Sequence, residues 1–84
     1  MGSFYLRCRS VTYAQRALKT LEKSGIPGAV VKLPQHLSEE GCGYSIKIKG
    51  RWLNHAYEVL TDAGFEIRNV YSQGKNGEYK EVRL

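Results

Sequence analysis

No stretch of this chain approaches the ~20 consecutive apolar residues that a membrane-spanning helix needs. The opening Met1-Gly2-Ser3-Phe4-Tyr5-Leu6 lacks the basic start and apolar run of an export signal. Leu6 also stands where a myristoylation signal carries Ser or Thr. Cysteine and histidine are scarce, two of each and never closely paired, which argues against a zinc site. No Ser–His–carboxylate set, phosphate loop or carboxylate pair is recognisable, and Gly41 and Gly43 alone do not make a dinucleotide site. A basic tail is missing too: the 13 Lys and Arg are spread along the chain. These absences lead us to expect a cytoplasmic domain with no membrane anchor, metal or cofactor. In that reducing compartment, Cys8 and Cys42 rest as thiols.

What remains is ordinary globular composition, 42% hydrophobic and 25% charged, in 84 residues. That length suits a single domain with a modest core. The net charge of +5 points mildly to an anionic partner: nucleic acid, a small anion or an acidic protein. It also fits solubility alone.

From Ser3 to Arg9, Phe4, Leu6 and Cys8 alternate with Tyr5, Arg7 and Arg9, the period of a strand buried on one face. A helix follows, capped by Thr12 with Gln15 three residues on, or by Ser10. Ala14, Ala17, Leu18 and Leu21 form its inner stripe. Gly25 ends it, Ile26 folds back on the last turn, and Pro27 blocks continuation. Ala29–Leu33 reads as a second strand and 34–43 as a polar loop. Tyr44, Ile46 and Ile48 mark a third strand. A second helix after Gly50 turns Trp52, Leu53, Ala56, Val59, Leu60 and Ala63 inward, with His55 at its boundary. Glu66–Tyr71 reads as the fourth strand.

The two halves repeat: Ala17, Leu21, Gly25 and Ile26 recur at a constant shift as Ala56, Leu60, Gly64 and Phe65. A duplicated strand–helix unit predicts an α+β, ferredoxin-like βαββαβ two-layer sandwich. Its four-stranded antiparallel sheet would run in order 4-1-3-2, with right-handed crossovers. The domain is expected over 1–71. Residues 72–84 form a C-terminal tail or, through Asn76-Gly77, an edge hairpin.

In this topology the end of the first strand, the start of the first helix and the start of the third strand share one edge. Cys42 should therefore lie near Ser10 and Thr12 at the helix start, where free N–H groups and the dipole favour an anion. Arg9 adds positive charge, while Glu39 and Glu40 oppose it. Gly41 and Gly43 leave the thiol open. This setting favours thiolate over thiol. Two strand registers are open: one sets Cys8 opposite Cys42 as a resolving thiol, the other sets Ser10 there. His36, in the same loop, is a lesser candidate base.

The opening strand leads into Arg9-Ser10-Val11-Thr12-Tyr13-Ala14, then Leu21-Glu22-Lys23-Ser24-Gly25-Ile26. Pro34, Gly41-Cys42-Gly43-Tyr44-Ser45-Ile46 and Ala63-Gly64-Phe65 follow. Over residues 4–71 this pattern resembles the selenium/sulfur carrier-like proteins, small bacterial domains. The resemblance implies that Cys42 holds sulfur or selenium as a persulfide or selenosulfide. It implies donor and acceptor protein partners, and a carrier rather than a turnover enzyme. Independently, the sheet face away from the helices carries Tyr5, Arg7, Arg9, Lys47 and Lys49, which Lys32 and Arg68 would join in one strand phase. Such a face suits nucleic acid or a protein partner, although Tyr5 is its one assured aromatic.

Overall fold

The computed structural model describes residues 2–34 and 43–83. Strand β1 (Ser3–Arg7) leads into helix α1 (Val11–Lys23), followed by β2 (Ala29–Lys32) and β3 (Tyr44–Lys49). A 3-10 turn at Gly50–Trp52 opens helix α2 (Leu53–Asp62), and β4 (Asn69–Gln73) and β5 (Tyr79–Val82) complete the chain.

The helix ends follow from local chemistry. Ser10 is extended (φ −159°, ψ 165°), and its hydroxyl accepts a hydrogen bond from the Tyr13 amide at 3.1 Å. Ser10 therefore caps α1, and Thr12 lies inside the first turn, which corrects the Thr12–Gln15 alternative. At the other end, the Ile26 amide donates to the Leu21 carbonyl (3.0 Å) and Gly25 to that of Glu22 (3.0 Å). The same pair of bonds closes α2, from Phe65 to Leu60 (2.9 Å) and from Gly64 to Thr61 (3.1 Å). Both reversals need a left-handed residue, and Gly25 and Gly64 supply it at φ +77° and +87°. The internal repeat in the sequence is thus a repeat of cap geometry.

Sheet order is β2-β3-β1-β4-β5, with every neighbouring pair antiparallel. The four-stranded sheet of order 4-1-3-2 is corrected to five strands. The Asn76-Gly77 turn reverses the chain, with Gly74 donating to the Glu78 carbonyl at 2.7 Å. This brings Tyr79 opposite Gln73 and Val82 opposite Val70.

Strand β4 begins at Asn69, not Glu66, because its partner β1 already ends at Arg7. A single bond from the Arg68 amide to the Arg7 carbonyl (3.1 Å) carries the ladder further.

Period two sorts the strand residues between two faces. Leu6, Cys8, Ile46, Ile48 and Val70 meet Ala14, Ala17 and Leu21 of α1 and Leu53, Ala56 and Leu60 of α2 in the main core. Each large apolar side chain in it contributes about 1.5–3 kcal/mol. Trp52 packs against this core, but Ala63 is exposed, a correction: it is the cap after α2 rather than part of its inner stripe. On the opposite face Tyr5, Leu33 and Tyr71 form a second buried cluster, with Val31 and Tyr79 against it. Among the described residues, no helix is long and apolar enough to cross a membrane.

Candidate functional site

Cys42 and Gly41 lie outside the described residues, as do His36, Glu39 and Glu40. The described part of the expected site is the α1 start and the first residues of β3. Register fixes how these meet. Arg7 pairs with Ser45, and the Cys8 amide donates to the Tyr44 carbonyl at 2.9 Å. Cys8 therefore stands beside Tyr44, and one residue further on each side come Arg9 and Gly43. Gly43 is buried, and its carbonyl accepts from the Leu33 amide at 2.7 Å, tying it to the end of β2.

At the helix start, the cap uses the amide of Tyr13, and Ala14 donates to the Ser10 carbonyl (3.0 Å). The first turn contains no acidic residue. Arg9 is exposed, and its guanidinium carbon sits 4.6 Å from the centre of the Tyr13 ring. A cation beside a helix N-terminus is unfavourable, and the ring offsets this by about 0.5–1 kcal/mol. The Tyr13 hydroxyl accepts from the Glu66 amide, and its ring meets Phe65 edge-on at 5.2 Å. Tyr13 therefore braces the α1 start against the segment after α2. Thr12 is exposed.

Cys8 is fully buried on the helix side of the sheet, its thiol directed to the Leu6 carbonyl at 3.5 Å. His55 is exposed on α2.

A family description, "Putative Se/S carrier protein-like", matches residues 3–72. The chain belongs to that Se/S carrier-like family. No curated protein and no solved structure matches it. The match covers Cys42 and ends inside β4, so β5 of this carrier-like chain lies beyond the matched region.

The face away from the helices is less basic and more aromatic than its sequence suggests. Arg7, Lys47 and Lys49 belong to it, in register with Ser45, Tyr5 and Ser3 respectively. Lys32, however, pairs with Tyr44 and falls in the helix-side phase. Tyr71 and Tyr79 join Tyr5 there, and Tyr5 meets Tyr79 edge-on at 5.3 Å. The Tyr5 hydroxyl donates to Gln73 Oε1 at 2.8 Å. With Tyr5 only 4% exposed and Tyr71 7%, these rings are packed inward and do not offer faces to stacked bases.

Two polar groups on this face stand out. Arg7 Nη1 donates to Asn69 Oδ1 (3.1 Å), and Asn69 Nδ2 donates to Glu81 Oε2 (3.3 Å). Arg7 Nε is nevertheless buried without an acceptor, and so is the hydroxyl of Ser45, its register partner. Burying an unmatched polar group costs about 1–3 kcal/mol, and more when it is charged. Sequence reasoning missed Ser45. Its signal was present, a serine in the same strand phase as Lys47. Among the described residues no group of three or more His, Cys, Asp or Glu could hold a metal ion.

Proposed function

We propose that this chain carries sulfur or selenium on the thiol of Cys42, passing it from a donor protein to an acceptor protein. The observation that carries this reading is family membership over residues 3–72, a span that includes Cys42. The surroundings of its neighbours support it. Cys42 is one peptide bond from Gly43, which hydrogen bonding holds at the end of β2. Arg9 lies one residue beyond the bond that joins β1 to Tyr44, and the first turn of α1 has no acidic side chain to cancel its dipole. Positive potential at that edge favours thiolate and, after loading, the terminal chalcogenide. We read the βαββαβ part of the chain as a ferredoxin-like unit, with β5 added beside β4.

Transfer is a thiol exchange. The Cys42 thiolate attacks the outer sulfur or selenium of a donor persulfide or selenosulfide. A bond from Cys42 Sγ to that atom forms, the bond to the donor's own sulfur breaks, and the donor leaves as thiolate. An acceptor thiolate then repeats the step on the loaded Cys42. The chalcogen moves with no net oxidation or reduction, and the site needs no enclosed pocket. Cys8, buried just past the end of β1, would act as a resolving thiol only if the β1–β3 end opened.

Intact-mass measurement after mixing with a persulfide donor tests the reading. The native chain should gain one sulfur, Cys42→Ser should gain none, and Cys8→Ser should load like the native chain. Equal loading of native chain and Cys42→Ser removes Cys42 from the mechanism.

A further inference from the structure

Beyond the carrier reading, we propose that β5 is a docking edge for an extended segment of a partner protein that alternates apolar and acidic residues. The sheet order leaves β5 at one margin. The Gly74 amide donates to the Glu78 carbonyl, and the pairs Ser72–Lys80 and Val70–Val82 follow at steps of two. Lys80 and Val82 therefore turn their N–H and C=O groups toward β4, while Tyr79 and Glu81 turn theirs outward. Such a row of backbone donors and acceptors is a template for one more strand.

Layer geometry gives that strand somewhere to place its side chains. Two helices, each about 10 Å across, cover about four strands spaced ~4.8 Å apart. The fifth strand extends past them, and a cleft of about 250 Å³ opens at this margin. Val70 and Val82 line it from the sheet, with Tyr57 of α2 and Ile67 beside them, and the exposed Arg68 and Arg83 border it.

Residues directly opposite each other on paired strands share a face. The partner residues opposite Lys80 and Val82 therefore lie on the helix side, the side that Val82 shares with the main core. The one opposite Val82 adjoins the cleft, which suits an apolar side chain. The one opposite Lys80 is best matched by a carboxylate, and Arg68 and Arg83 add to the attraction. Glu81 also borders the cleft, but its carboxylate already accepts from Asn69 Nδ2. A second copy of this chain does not fit. The two-fold registers that overlap most of β5 set Lys80 against Lys80 or Glu81 against Glu81, and like charges directly opposite repel.

The test mixes the full chain with a synthetic peptide that alternates leucine and glutamate, with threonine between them. A control peptide carries lysine in place of glutamate. Amide hydrogen exchange reads the edge residue by residue. We expect protection to rise at Tyr79 and Glu81, and not at Lys80 and Val82, whose amides already face β4. Lys80→Glu should weaken binding about fivefold, the loss expected when one cross-strand pair turns repulsive. The lysine peptide should bind the native chain at least as poorly. Circular dichroism confirms that the variant is folded. Equal binding of the two peptides, or native affinity in folded Lys80→Glu, overturns the proposal. So does protection that fails to alternate, or binding that does not saturate below about 1 mM. Protection that rises with chain concentration alone also overturns it, by making the occupant a second copy. None of these readouts involves chalcogen transfer, so failure here leaves the Cys42 reading untouched.

Discussion

At Tyr79, burial raises the phenol pKa above its ordinary value; the neighbouring Tyr5 hydroxyl adds to the effect, and Lys47 opposes it. The unfolded chain releases this proton near pH ~10. Between that pH and the raised folded value, the folded state holds more protons than the unfolded one, so stability falls as pH rises. The neutral phenol's contribution is thus complete below pH ~10 and lost through the folded value. Urea midpoints measured up an alkaline pH series should drop more steeply for the native chain than for Tyr79→Phe. Parallel curves would show that Tyr79 does not titrate against its surroundings. Single residues were unevenly legible. Cys8 reads as core from the alternation of Phe4, Leu6 and Cys8, and it is core. Tyr71 was opaque, since burial on the second face depends on strands far away in sequence.

Among elements, the helices were the most legible, because their stripes and caps are set within a few residues of chain. Gly25 and Gly64 close α1 and α2 with the same bonds, at φ +77° and +87°. A Cβ added at either position meets nothing within 4 Å. The cost of alanine there is therefore backbone strain alone, about 1–2 kcal/mol for a left-handed alanine. Gly25→Ala and Gly64→Ala should each lower the free energy of unfolding by that amount in urea titrations. Unchanged or greater stability would mean that the caps relax into an ordinary conformation. Strand limits were harder, since a strand ends where its partner ends. Phe65 and Ile67 alternate as a strand would and pack against the core, yet they precede β4 because β1 offers no residues opposite them.

For the whole molecule, β5 extends both faces of the sheet at the β4 edge. Val82 packs against the main core and Tyr79 against the Tyr5–Tyr71 cluster, so one short strand closes both. The family match stops before it, at residue 72. The sequence marked the hairpin turn at Asn76-Gly77, but not whether a polar Tyr79–Val82 segment would find a partner, which depended on β4 extending to Gln73. Removing residues 74–84 deletes two partly buried apolar side chains and one edge-on aromatic pair, worth about 2–4 kcal/mol together. A chain of this length has on the order of 5–10 kcal/mol of stability. The shortened chain should therefore still fold, with helical circular dichroism preserved, but melt at a lower temperature. Tyr5 and Tyr71, uncovered on one side, should become more accessible to a soluble fluorescence quencher. An unchanged melting temperature would make β5 a passive addition. Outright unfolding would instead show that the two faces depend on β5 for their closure, and that the matched region is not a folding unit by itself.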